Sequence, residues 1–122
     1  MSGGFWAAWL LLLLCAAAQL YFAYLEMFRW EDNVGPKIGR LSDDCAKATA
    51  HIGLNMGLYN ALVAAGLLWS LFRASAFASP LPLYLSLFMA VAGIFGGITV
   101  HPKIYAQGGL GLAAAVALFL SR

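Results

Sequence analysis

Charge is what this sequence has least of. Lys and Arg number 7 and Asp and Glu 5 in 122 residues, 10% in all, against 63% hydrophobic residues. A water-soluble domain carries about a quarter charged residues, because its surface must face water. One domain of this length could not hide so much apolar surface in a core, whereas lipid can cover it. The formal charge of +2 and the lack of a basic aromatic patch argue against a nucleic-acid partner. Cysteine is scarce too. Cys15 sits in an apolar run and Cys45 near a loop, with no Cys-x-x-Cys or metal-ligand spacing, which predicts two free thiols. No Lys or Arg precedes Leu10 to Leu14, so the likeness of that run and Cys15-Ala16-Ala17-Ala18 to a signal peptide gives way to the expectation of a retained first helix.

What is present is four stretches without formal charge: Gly3 to Leu25, Ala48 to Phe72, Ala74 to Val100 and Ile104 to Ser121. A crossing of the hydrocarbon takes about 20 apolar residues as an α-helix. The expectation is therefore an all-α integral membrane four-helix bundle, residues 1–122 as a single domain. Its helices fall at about 4–28, 43–73, 82–100 and 104–121, with a long loop at about 29–41. Pro82 suits the first turn of the third helix and Pro102 ends it. Ser42-Asp43-Asp44 reads as a helix start, with a serine cap and two acids at the positive end of the dipole. Arg29, Lys37, Arg40, Lys47 and Lys103 fall on one side, against Arg73, Arg122 and the terminal amine on the other. The positive-inside rule then places both termini on the non-cytoplasmic side of a cell membrane, expected to be a bacterial inner membrane.

Polar groups are costly in hydrocarbon, so their positions carry the functional information. On the first helix Cys15, Gln19, Phe22 and Glu26 share a face, while Tyr21 and Tyr24 lie on another. Glu26 admits two readings: an interfacial acid paired with Arg29 three residues on, or an inward carboxyl able to act as acid or base. On the second helix His51, Asn55 and Tyr59 share a face at i, i+4 and i+8. Asn60 lies nearly opposite, near Gly53. Gly53-x-x-x-Gly57, continued by Ala61 and Ala65, and the Gly93, Gly96, Gly97 group are small-residue seams that let helices approach closely. Thr99 and Gln107 add polar groups on the last two helices. The candidate catalytic residue is thus Glu26, and the candidate ligand-binding residues are Gln19, Tyr24, His51, Asn55, Tyr59, Asn60, Thr99 and Gln107. His51, His101 and Glu26 have no standard metal spacing, so no metal site is expected, and no cofactor is specified.

Tyr21-x-x-Tyr24-Leu25-Glu26-x-Phe28-x-Trp30, Asn55-x-Gly57-x-Tyr59-Asn60, Ala64-Ala65-Gly66-Leu67-Leu68-Trp69 and Val91-Ala92-Gly93-Ile94-Phe95-Gly96 resemble the small membrane proteins of domain of unknown function 1304. The resemblance runs from Tyr21 to Leu118 and implies a four-helix membrane protein with no established activity. Two departures remove polar groups: Met56 stands where the family usually has Gln, and Phe95 where it often has Tyr. In size and layout the chain is also similar to DoxX-like membrane proteins, some of which partner oxidoreductases.

Three functions stay open. The first is a binding or assembly protein whose polar bundle interior holds a lipophilic small molecule, a second copy or a membrane partner subunit. The second is a membrane enzyme on a lipophilic substrate, with Glu26 as acid or base. The third is a small-solute or proton transporter acting as an oligomer.

Overall fold

The computed structural model describes residues 3–73 and 77–121. Arg122 and the terminal amine, counted above among the charges of one side, lie outside them. The chain forms α1 (Gly3–Phe28), a π-helix (Trp30–Ile38), α2 (Asp43–Ala48), α3 (Ala50–Leu71), α4 (Leu81–Thr99), a 3-10 turn (Pro102–Ile104) and α5 (Tyr105–Leu120). No strand occurs among the described residues. Four helical spans, Gly3–Phe28, Ala50–Leu71, Leu81–Thr99 and Pro102–Leu120, are long and apolar enough to cross a membrane. The fold is an all-α helical bundle.

Two segments differ from the sequence expectation. The helix expected over 43–73 is divided at Thr49 into α2 and α3. Thr49 Oγ1 donates to the Cys45 carbonyl at 2.7 Å and accepts from Trp30 Nε1 at 2.9 Å. A threonine hydroxyl that bonds back to the preceding turn bends a helix. The segment expected as a loop over 29–41 is wound into the π-helix. Val34 N–H donates to the Arg29 carbonyl and Gly39 N–H to the Val34 carbonyl, each five residues back. This satisfies backbone groups that an irregular loop at a bundle end would leave to water. Ser42 does cap α2, its hydroxyl accepting from Cys45 N–H at 3.2 Å.

The long helices pack in a ring: α1 touches α3 and α5, and α4 touches α5 and α3. Glycine makes two of these contacts closer than the others. A side chain at Gly53 would put its Cβ 2.7 Å from the Glu26 carbonyl, and one at Gly57 2.9 Å from the Ala23 carbonyl, so α3 lies backbone to backbone against α1. The backbones of Gly93 and Gly108 meet in the same way between α4 and α5.

The two ends of the bundle are built differently. At one end, Leu12, Leu67, Leu85, Met89 and Leu118 fill the space between the α1–α3 and α4–α5 pairs with buried apolar side chains, and Cys15 joins them as a free thiol. Burial of each such side chain stabilises the bundle through close packing and the many small dispersion contacts it brings. Aromatic rings close that end, with Phe5 on Phe77 and Trp9 on Phe72. Trp9 Nε1 also donates to the Leu71 carbonyl at 3.3 Å. At the other end the seam glycines draw each pair together, and the pairs stand apart.

Candidate functional site

Between the separated pairs lies a cavity of about 400 Å³. Every long helix contributes to it. Phe22, Leu25 and Glu26 come from α1, Met56 and Asn60 from α3, Ala92 and Gly96 from α4, and Gln107 from α5. Asn33, Val34 and Ile38 of the π-helix lie over it, and Val100, Lys103 and Ile104 line the opposite rim. The wall is mainly apolar, with a carboxyl, three amides and one ammonium among its side chains. This size and balance fall in the range of small-molecule pockets, where a few polar groups orient an otherwise apolar ligand.

On the α1–α3 side, Glu26 and Asn60 of the wall belong to a chain of hydrogen bonds across the seam. Gln19 Nε2 donates to Asn60 Oδ1 at 3.2 Å, and Asn60 Nδ2 donates to Glu26 Oε1. Gln19 is 0% and Glu26 7% exposed. The spacing explains the arrangement. Gln19 and Glu26 are seven residues apart, two turns on one face of α1, and Asn60 projects from the face of α3 that Gly53 and Gly57 bring close. Gln19 Oε1 is buried without a partner among the described residues. Asn60 occupies one oxygen of Glu26, and the carboxyl borders the cavity.

Arg29 is not the partner of Glu26. It binds Asp32 instead, with Arg29 Nη2 2.8 Å from Asp32 Oδ2 and Nε 3.0 Å from both carboxylate oxygens. Hydrogen bonds from Arg29 hold the Asp32 carboxyl below the usual range, and the bond to Asp32 raises the guanidinium further. Both side chains are largely in solvent, at 44% and 62% exposure. The hydrogen-bond partner of Glu26 is therefore the Asn60 carboxamide inside the bundle rather than Arg29.

Of the residues singled out by sequence, Glu26, Asn60 and Gln107 line the cavity, and Gln19 stands behind it, bonded to Asn60. The structure does not bring the other five to the cavity. His51, Asn55 and Tyr59 lie on the exposed face of α3, and Tyr24 is exposed on α1. Thr99 is exposed and its hydroxyl donates to the Phe95 carbonyl at 2.7 Å. The reason is geometric. Asn60 stands nearly opposite Asn55 on the helix, and the glycine seam takes the Asn60 side inward. His101 Nδ1 accepts from Lys103 N–H at 3.0 Å at the 3-10 turn. Among the described residues, no three His, Cys, Asp or Glu side chains gather as a metal site would require. Asn33 and Lys103 line the cavity without having been singled out, because a polar loop residue carries no periodic signal. Of the two departures from the family pattern, Met56 lines the cavity and Phe95 is on the outer surface.

A ring of four apolar helices around an end cavity with a buried carboxyl–amide chain defines a small helical-bundle protein whose long helices are apolar enough to span a membrane. Residues 13–120 match the family described as "Protein of unknown function (DUF1304)", and the chain belongs to that family. It is also similar to the uncharacterized protein YpaA of Lactococcus lactis subsp. lactis (strain IL1403), at 28% identity over 113 residues, covering 90% of this chain and 94% of that protein. No solved structure matches.

Proposed function

We propose that the chain is a multi-pass membrane protein that binds a small lipophilic molecule bearing a polar group in the cavity bordered by Glu26 and Asn60. The single observation that carries this reading is the buried Gln19–Asn60–Glu26 chain abutting a mainly apolar space of about 400 Å³. A carboxyl held among amides beside apolar walls suits a ligand whose hydroxyl, amine or carbonyl meets the acid while its hydrocarbon lies along Phe22, Leu25 and Met56. Four spans of adequate length support the membrane location, as do Trp6 and Trp9 at the apolar end, whose amphipathic rings suit the headgroup level. The cavity lies toward the end that carries Arg29, Lys37, Arg40 and Lys103, the side which the positive-inside rule assigns to the cytoplasm.

Native mass spectrometry of the chain extracted in mild detergent tests the reading. A lipophile retained by the parent chain should be lost in Met56→Trp, which fills the cavity, and weakened in Glu26→Gln. Equal retention by all three proteins, or none by the parent, overturns it.

A further inference from the structure

The outer face of α3 carries a line of polar side chains that lipid serves poorly. His51, Asn55 and Tyr59 stand in line there, all exposed, with Tyr59 at 63%. Asn55 and Tyr59 lie roughly 7 and roughly 13 Å along the helix from its first residue, below the level where short side chains reach headgroups. Asn55 Nδ2 donates to the His51 carbonyl at 3.1 Å. Its Oδ1, the Tyr59 hydroxyl and the His51 ring have no partner among the described residues. The outer faces of α4 and α5 are different. Val91, Ile98, Val116 and Phe119 lie on them, the exposed Tyr84 and Tyr105 stand in the first turns of those helices, and the exposed Thr99 hydroxyl is already bonded within its own helix. Of the four spans, α3 is also the least buried in the bundle.

We infer that this face is the contact between two copies of the chain. Copies inserted in the same sense are related by a two-fold axis along the membrane normal, so their α3 helices run parallel and like residues meet like. Such a contact satisfies itself only if each polar side chain is both donor and acceptor. A carboxamide, a phenol and a neutral imidazole all are, whereas a carboxylate or an ammonium is not. Asn55 and Tyr59 meet that condition, and those of each copy bond their counterparts while Leu62 packs below them. Burying otherwise unpartnered polar groups against one another is what drives helices together where water is absent. The inference rests on the membrane location proposed above and is independent of the cavity.

Cysteine cross-linking in native membranes tests it. In a Cys15→Ala, Cys45→Ser background, single cysteines are placed at Asn55, Tyr59 and, as a control on an apolar face, Val116. Oxidation should give a homodimer at Asn55→Cys and Tyr59→Cys at least about tenfold more than at Val116→Cys. Energy transfer between labelled full-length chains in phosphatidylcholine liposomes, read against lipid dilution, gives a second measure. There Asn55→Leu combined with Tyr59→Phe should require about tenfold more protein for the same transfer. Equal cross-linking at all three positions, cross-links only to other proteins, or unchanged energy transfer overturns the pairing while leaving the membrane location intact. A chain recovered outside the membrane fraction overturns both.

Discussion

Asn60 on α3 joins two side chains of α1, accepting from Gln19 and donating to Glu26, 34 positions away. One carboxamide thereby fixes both the register of the α1–α3 seam and the orientation of the carboxyl beside the cavity. A change there should be felt in stability and in ligand retention together.

Asn60→Leu leaves a buried carboxyl and a buried amide without their shared partner. Loss of one partner of a buried hydrogen bond costs about 1–3 kcal/mol, and interhelical bonds in bilayers lie toward the low end of that scale. Unfolding in mixed micelles titrated with a denaturing detergent should show a loss of about 1 kcal/mol or more. A variant as stable as the parent would mean that the chain of amides contributes nothing to holding α3 on α1.

The glycine seams make opposite predictions for neighbouring positions. At Gly93 an added Cβ runs into the Gly108 backbone, whereas at Gly109 it meets nothing within 4 Å. Backbone cannot move aside as a flexible side chain can, so Gly93→Val should cost about 1–3 kcal/mol or more through overpacking. Gly109→Ala should be neutral or stabilise by about 0.5–1 kcal/mol, because alanine loses less backbone freedom in a helix. Paired thermal melts in detergent distinguish the two.

Trp30 holds the π-helix over the bundle end. Its indole nitrogen donates to Thr49 Oγ1, and its ring lies where a Gly53 side chain would otherwise stand, 2.6 Å from the position of that Cβ. Trp30→Phe keeps a ring and removes the donor. The loss should be about 1 kcal/mol, seen as roughly fivefold faster amide exchange across residues 30–41. Exchange in the apolar half, at Leu12 and Leu67, should not change.

The Arg29–Asp32 pair sets an acid limit on the same segment. Hydrogen bonds from Arg29 depress the Asp32 carboxyl in the folded chain. A depressed carboxyl contributes stability that is fully present above its unfolded value, about 3.9, and is lost as pH falls through the lower folded value. Residues 30–38 should therefore loosen below about pH 4 and not between pH 5 and 8. Because the pair is solvent-exposed, the effect is small and weakens with salt. Asp32→Asn should remove the pH dependence, as followed by the amide resonances of that segment. Loosening that persists in Asp32→Asn would assign it to another group.

Much of the site was legible along the chain, though only in part. Gln19 and Glu26 share a face of α1 by helical period, and Asn60 lies on the glycine side of α3, so spacing grouped these residues while leaving Glu26 open between Arg29 and the bundle interior. His51, Asn55 and Tyr59 also share a face, and period alone cannot say whether such a face looks into the bundle or out of it. That depends on which side the partner helix chooses, and Gly53 and Gly57 made the choice by close approach. The π-helix was illegible for a different reason. Trp30 to Ile38 carries charges, Gly35 and Pro36, all signals of a loop, and what anchors the wound segment is a contact far along the chain, Trp30 Nε1 on Thr49 at the break between α2 and α3.

Composition and helical period by themselves determined that the chain is four apolar helices with few places to put a polar group, because length and hydropathy are properties each segment has alone. Only the tertiary structure decided that the glycine seams close one end of each helix pair, leave a cavity between the pairs there, and turn Glu26 to Asn60 rather than to Arg29. Those outcomes arise from contacts between segments far apart in the chain, where the fit of one surface against another selects among directions that the local pattern leaves equal.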